Sequence, residues 1–168
     1  MSIEVRLEKL EREIEEMRAS IHTKEVCVLD EQGQKRISMT ADKGGAQLVM
    51  RDESGKARAV MSVDKDGPTF TLKDENGKAS ACILVGLHGP AIIMFDDSGK
   101  PRIGMTTANK SPMVSVHDEG GKPLAVMMIG PHGPSITINN EYAKPRAGMY
   151  QNKLWVLDMN GEPIWTAP

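Results

Sequence analysis

The stretch that decides the fold runs from residue 51 to residue 86 and reads RDESGKARAVMSVDKDGPTFTLKDENGKASACILVG. A charged segment at 52–56 recurs 22 residues later at 74–78. An Asp at the start of such a segment accepts hydrogen bonds from the backbone, and its Gly adopts the positive φ that a tight turn needs. We therefore predict a β-hairpin turn at each segment.

The same spacing of 22 residues extends over most of the chain and predicts an internal repeat. Each unit has a Gly or an Ala three residues after its first position, and a Lys follows in most units. A partial seventh unit begins at Leu154 and contains Asp158. The first positions of the six full units are Asp30, Asp52, Asp74, Asp96, Asp118 and Asn140.

Between the turns, apolar residues alternate with other residues, which is typical of β-strands. Leu48 and Met50 form such a pair before one turn, and Ala59, Met61 and Val63 continue it after the turn. A single thin sheet cannot bury two faces, so we predict an all-β protein of 22-residue hairpin units that form a stacked β-prism or a β-helix-like fold. A monomeric β-solenoid is the alternative that the unit length leaves open.

The N-terminal segment carries a coiled-coil pattern. Its apolar residues recur at alternating steps of four and three over three heptads, which predicts a seam that packs against partner helices. No Asn interrupts the seam to specify a dimer, so we expect a homotrimer first and a dimer second. The predicted oligomerisation residues are Ile3, Leu7, Leu10, Ile14, Met17 and Ile21.

These patterns divide the 168 residues into three parts. We predict a coiled-coil helix over 1–23, six hairpin units over 24–153, and a partial unit with a C-terminal cap over 154–168.

The composition excludes some classes of partner. The 21 basic and 23 acidic residues are interspersed along the sequence, so we expect no basic patch that would bind nucleic acid. No apolar run is long enough to span a membrane.

Candidate reactive groups are few. His88 and His132 occupy equivalent links 44 residues apart, and a threefold axis would bring each set of three together as a weak candidate metal site. Turn chemistry explains both links without a metal, so we expect neither a metal nor any other cofactor. The sequence has no nucleophile with a base partner and no Gly-rich phosphate loop, so we expect no enzymatic activity.

Aromatic residues concentrate near the C-terminus. Four of the six lie within the last 27 residues, and they would close the open end of the repeats or form a docking surface for another protein. The candidate docking residues are Tyr150, Trp155 and Trp165.

The recurring Asp-Glu-x-Gly-Lys-x-Arg-x-x-Met units between 25 and 149 resemble those of uncharacterised bacterial proteins with tandem Asp-x-x-Gly-x-x-Arg motifs. This resemblance implies no activity and no site. A short coiled coil that leads into a β-repeat shaft is also similar in plan to trimeric phage fibres and to bacterial adhesin stalks.

From these observations we predict a non-catalytic homotrimer that acts as a stalk, a fibre or a scaffold and presents repeated surfaces to partner proteins. The alternatives are a trimeric accessory subunit that organises enzymes in a larger complex, or a monomeric β-solenoid binding module. Partner proteins are expected at the coiled-coil end or the C-terminal end. The charged N-terminus predicts no signal peptide, so we expect a cytoplasmic protein, or a virion-associated one if a phage encodes it.

Overall fold

The computed structural model describes residues 2–19, 24–107, 111–151 and 153–167. Within these ranges the chain forms one helix followed by strands only, so the all-β class with an N-terminal helix is confirmed. The elements are α1 Ile3–Ala19, β1 Glu25–Leu29, β2 Lys35–Asp42, β3 Gly45–Arg51, β4 Ala57–Asp64, β5 Gly67–Lys73, β6 Ala79–Gly86, β7 Gly89–Phe95, β8 Pro101–Thr106, β9 Met113–His117, β10 Pro123–Gly130, β11 Gly133–Asn139, β12 Pro145–Tyr150, β13 Lys153–Leu157 and β14 Pro163–Ala167.

The strands form a single open sheet of 14 strands in which each strand pairs with its neighbours in sequence. Every pairing is antiparallel. The links between the predicted hairpins are themselves tight turns, as where Asp64 pairs with Gly67. The hairpins therefore join edge to edge in one continuous meander instead of stacking as separate units. A β-solenoid, by contrast, stacks its rungs as parallel strands.

Turns lie at both long edges of this sheet. One edge, which we call the turn edge, carries the charged turns that begin at Asp30, Asp52, Asp74, Asp96, Asp118, Asn140 and Asp158. The opposite edge, the link edge, carries the turns between β2 and β3, β4 and β5, β6 and β7, β10 and β11, and β12 and β13. Gly67, at a link, has a φ of 115°, and a Cβ there would meet the carbonyl oxygen of Val85 at 2.0 Å. Only Gly fits this position, because the neighbouring strand passes too close for a side chain.

One face of the sheet, the apolar face, has three rows of side chains that run across the strands. Each row is continuous because the register repeats from one hairpin to the next. The central row is Val26, Met39, Leu48, Met61, Phe70, Ile83, Ile92, Met105, Val114, Met127, Ile136, Met149, Leu154 and Ala167.

Two further rows flank the central row on the apolar face. The turn-side row is Val28, Ile37, Met50, Ala59, Leu72, Ala81, Met94, Ile103, Val116, Ala125, Ile138, Ala147, Val156 and Trp165. The link-side row includes Ala41, Ala46, Val63, Pro68, Val85, Pro90, Ile129 and Pro134.

The other face, the opposite face, has at its centre a row of mixed side chains that includes Ser38, Val49, Ile93, Ser115 and Trp155. Ser38, Val49 and Ser115 in this row are the most buried residues of the described chain, and Val49 is the one buried hydrophobic residue among them. Among the described elements, strands contact only their sheet neighbours and α1 contacts no strand. A single layer of this kind leaves most of its apolar side chains exposed.

Candidate interaction surfaces

The helix seam is exposed along the residues for which a side chain is described. Ile3 is 85% exposed, and Leu7, Leu10 and Ile14 are each about half exposed. The backbone of Met17 lies within α1, whereas Ile21 lies outside the described residues. The helix begins after Ser2, whose Oγ accepts a hydrogen bond from the backbone N–H of Val5 at 3.4 Å. The structure thus forms the predicted helix over Ile3–Ala19, with the described part of its seam exposed.

The apolar face of the sheet is the larger uncovered surface. Met61 in the central row is 50% exposed and Met127 is 55% exposed. On the turn-side row, Leu72 and Met94 are exposed to a similar extent. Monomeric soluble proteins rarely expose continuous apolar patches larger than a few hundred Å². By this criterion the apolar face is a candidate interaction surface.

The turn edge has a defined hydrogen-bond geometry. In the turn at Asp52, Oδ1 accepts the backbone N–H groups of Ser54 and Lys56 at 3.0 and 3.1 Å, and the Ser54 hydroxyl donates to the same oxygen at 2.7 Å. Asn140 holds its turn through the same pair of backbone contacts, with its amide oxygen as the acceptor. The structure therefore confirms the predicted hairpin turns.

Hydrogen bonds to the carboxylates at this edge stabilise the deprotonated, charged form of these groups. The Ser54 hydroxyl lowers the pKa of Asp52 to about 2, and the Arg58 guanidinium contributes to the same shift. The equivalent Ser98 hydroxyl lowers the pKa of Asp96 to about 2. A carboxylate that accepts several hydrogen bonds loses its proton more easily, because protonation would remove acceptor capacity.

Arginine side chains pair with the turns that precede them. Arg36 lies 2.7 Å from Asp30, and Arg58 lies 3.2 Å from Asp52. The same guanidinium groups also make a second set of contacts, with the backbone of the next hairpin. These contacts are not visible in the sequence. Arg58 Nε, for example, donates to the carbonyl oxygen of Lys73 at 3.0 Å. Each of these arginines therefore joins one hairpin to the next.

Lysines extend this coupling along the turn edge. The Nζ of Lys78 donates to the carbonyl oxygen of Asp97 at 3.0 Å, and the Nζ of Lys100 donates to that of Glu119 at 2.6 Å. Lys56 and Lys122 make the same contact with their following turns. Consecutive turns thus lie side by side, linked by charge-assisted hydrogen bonds.

The candidate aromatic residues do not form one surface. Trp155 lies on the opposite face, where it pairs with Gly148, and Tyr150 lies on that same face beside Lys153. Trp165 lies on the apolar face, in the turn-side row, and is 51% exposed. Their closeness in sequence does not bring them together, because successive residues of a strand point to opposite faces.

Gly148 makes the position of Trp155 possible. A Cβ at Gly148 would lie 2.5 Å from Cζ2 of Trp155 and 2.5 Å from the carbonyl oxygen of Ile136. The indole ring therefore occupies the space that a side chain at position 148 would fill. Sequence analysis did not identify Gly148, although a Gly paired across a two-residue turn with a large aromatic residue is a recognisable signal.

The last turn departs from the others in its chemistry. Met159 stands where the earlier turns carry Glu or Asp, and it is 85% exposed. Ile164 stands where several units carry Arg, and it is also largely exposed. The C-terminal hairpin therefore exposes apolar side chains where earlier units carry charged ones, a difference that a comparison of the repeat units would have shown.

The two candidate histidines lie in exposed turns of the link edge, His88 between β6 and β7 and His132 between β10 and β11. Four strand spacings of about 4.8 Å separate these turns, so one chain does not bring the two rings together. In the described ranges no three His, Cys, Asp or Glu side chains are grouped as metal ligands.

The described part of the chain has no helix with the length and hydropathy of a membrane span.

Comparisons with known proteins identify no family. No family model matches the chain, and no curated protein matches it. One solved structure that matches is a mutant of S. aureus TarM in complex with Fondaparinux, alpha-GlcNAc-glycerol and UDP. The TM-score is 0.38 with 11% sequence identity, over 61% of this chain and 23% of that chain. The chain thus corresponds to less than a quarter of that protein, and a likeness of this size carries no argument about function.

Proposed function

We propose that this chain is a non-catalytic homotrimeric structural protein, a stalk, fibre or scaffold element that presents repeated surfaces to partner proteins. One observation carries the proposal: a single chain exposes two extended apolar surfaces, the seam of α1 and the apolar face of the sheet. Both surfaces are continuous and lie on regular elements, so self-association would cover both with one symmetry operation.

The coiled-coil pattern favours three copies, and the 22-residue units would give such an assembly a regular shaft in the form of a prism. Three aligned chains would offer each surface patch three times, so weak individual contacts would add through effective concentration. The turn edge, whose charged groups are fixed by hydrogen bonds, suits this presentation because its geometry repeats from turn to turn.

A trimeric accessory subunit within a larger complex is the second candidate, and the C-terminal hairpin favours it. Met159, Ile164 and Trp165 would give such a subunit exposed apolar side chains at the last hairpin, with Ile164 and Trp165 on opposite faces of β14, where other units carry charged residues. Aromatic and Met side chains are enriched in interface cores.

Absolute mass in solution, measured by light scattering on a sizing column, tests the trimer. We expect about three times the 18.4 kDa of one chain. An Ile14→Asp variant places a charge in the helix seam and should lower this mass, whereas Glu15→Asp, outside the seam, should leave it unchanged. A single-chain mass for the unmodified protein would refute the proposal.

A further inference from the structure

The Lys and Arg contacts between consecutive units point in one direction along the chain. Lys56 Nζ donates to the carbonyl oxygen of Glu75 at 2.7 Å, in the turn of the following unit. Arg58 Nε donates to the carbonyl oxygen of Lys73 at 3.0 Å, just before that turn. A unit of this kind therefore supplies two cationic donors, and the unit after it supplies two backbone acceptors.

The two acceptors hold fixed positions in the repeat. Lys73 precedes the first Asp of its unit by one residue, and Glu75 follows that Asp by one residue. In the unit that begins at Asp118, the carbonyl oxygens at the same two positions accept Arg102 Nε at 2.9 Å and Lys100 Nζ at 2.6 Å. The contact depends on position and not on the acceptor's side chain, because both acceptors are backbone groups.

Strand β1 lies at one end of the sheet and pairs with β2 alone. Leu29 and Glu31 hold the two acceptor positions of its unit. Within the described residues no Lys or Arg side chain donates to either carbonyl oxygen, because α1 and not another hairpin unit precedes β1. Val28 and Leu29 are 52% and 55% exposed. An edge strand of this kind presents unpaired backbone groups that a further strand can bind.

The pairing of β4 with β5 shows what a strand beside β1 must carry, because β1 and β5 hold equivalent places in their units. Val28 is equivalent to Leu72, which pairs with Ala59. Two residues further along β4, Met61 pairs with Phe70. Together with the two donors that precede Ala59, this gives the pattern Lys-x-Arg-apolar-x-apolar for the strand that fits.

The free edge of a second copy does not carry this pattern. Strand β14 forms the other end of the sheet. Glu162 stands where most units have Lys, and Ile164 stands where several units have Arg. A carboxylate has no proton to donate to a carbonyl oxygen, and an isoleucine side chain has no donor at all. The two ends of the sheet are therefore not complementary to each other.

We infer that the free edge of β1 binds an extended segment of a partner protein with the pattern Lys-x-Arg-apolar-x-apolar, which adds to the sheet as an antiparallel strand. The Lys and Arg of this segment donate to the carbonyl oxygens of Glu31 and Leu29, and its apolar residues continue the turn-side and central rows. In strand addition, main-chain hydrogen bonds give affinity and alternate side chains give specificity. The inference goes beyond the proposed function and does not depend on the number of copies.

A peptide with the sequence of residues 55–63, GKARAVMSV, is the probe for this edge. The control peptide carries Lys56→Glu and Arg58→Ile, which are the residue types of the last hairpin at these positions. The full chain is titrated into each labelled peptide, and fluorescence anisotropy measures the dissociation constant. We expect the control peptide to bind at least about tenfold more weakly, because it lacks both cationic donors.

Hydrogen exchange measured by mass spectrometry locates the bound probe. Residues 25–29 should exchange more slowly when the probe is present, whereas residues 163–167 at the other edge should be unaffected. Equal affinity of the two peptides, protection of 163–167 without 25–29, or no binding of the probe up to about 1 mM would overturn the inference. The mass of the chain without peptide tests the trimer separately, so either proposal can fail while the other stands.

Discussion

Replacing Gly148 with Ala should displace Trp155 and destabilise the C-terminal strands. The new Cβ would lie 2.5 Å from the carbonyl oxygen of Ile136, which belongs to the backbone of the neighbouring strand and cannot turn away by itself. The same Cβ would lie 2.5 Å from the indole ring, which must rotate off the sheet. Overpacking of this kind costs about 1–3 kcal/mol, and we expect a loss of that size in the free energy of unfolding.

Gly104 offers a matched control for this substitution. It lies in the same row of the opposite face, but a Cβ there would meet only Ser115 Oγ at 3.3 Å, a contact that a shift of a few tenths of an ångström relieves. Gly104→Ala should therefore be neutral, or stabilising by up to about 1 kcal/mol, because Ala loses less backbone entropy than Gly on folding.

Urea unfolding at one fixed protein concentration measures both variants, with circular dichroism for the strands and tryptophan fluorescence for Trp155, recorded in a Trp165→Phe background so that Trp155 is the emitting residue. The concentration must be fixed because the stability of an associating protein depends on it. Gly148→Ala should lower the unfolding midpoint and shift the tryptophan emission to longer wavelength. If the two variants unfold within about 0.5 kcal/mol of each other, the indole does not occupy the space above Gly148 and the reasoning is refuted.

Three further predictions concern the apolar face and the turn edge. Ala81→Phe, in the turn-side row of the apolar face, should reduce the fraction of trimer on a sizing column, because the proposed trimer covers this face, whereas Ala91→Phe on the opposite face should not. Equal behaviour of the two variants would contradict self-association through the apolar face. Asp118→Asn should keep the melting temperature of the unmodified protein, because Asn140 makes the same contacts in its own turn. Asp118→Ala removes the acceptor oxygen and should lower the melting temperature. An unchanged melting temperature for Asp118→Ala would show that these contacts are dispensable. Asp52 has a pKa of about 2 in the folded protein against an ordinary value of 3.8, so its contribution to stability is present above about pH 4 and is lost as the pH falls towards 2. The melting temperature of Asp52→Asn should therefore depend less on pH between about 4 and 2 than that of the unmodified protein. An unchanged dependence would argue against the low pKa.

Local features of the fold were predictable from the sequence. The turn at Asp52 depends on contacts within five residues, and the alternation of Ala59, Met61 and Val63 defines a face without knowledge of any partner strand. Such features depend on nearest neighbours in the chain, so a single sequence contains the information that specifies them.

Features that depend on register were not predictable in the same way. The contact from Lys78 to Asp97 exists only because the intervening link is a tight hairpin that places two turns side by side. The separation of Trp155 from Trp165 likewise follows from the pairing of β12, β13 and β14, which assigns the two rings to opposite faces. The sequence therefore suggested one surface for three aromatic residues that the strands divide between two faces.

Each strand pairs only with its neighbours in sequence. The sheet can therefore be lengthened or shortened by whole repeat units. A duplication of 22 residues would insert two strands and lengthen the sheet by about 10 Å, while the helix and the C-terminal hairpin would keep their own contacts. Evolution can therefore change the distance between the two ends in fixed increments, without redesigning either end. If the molecule holds two partners apart, mutations that change the distance between the partners would leave the surfaces that bind them unchanged.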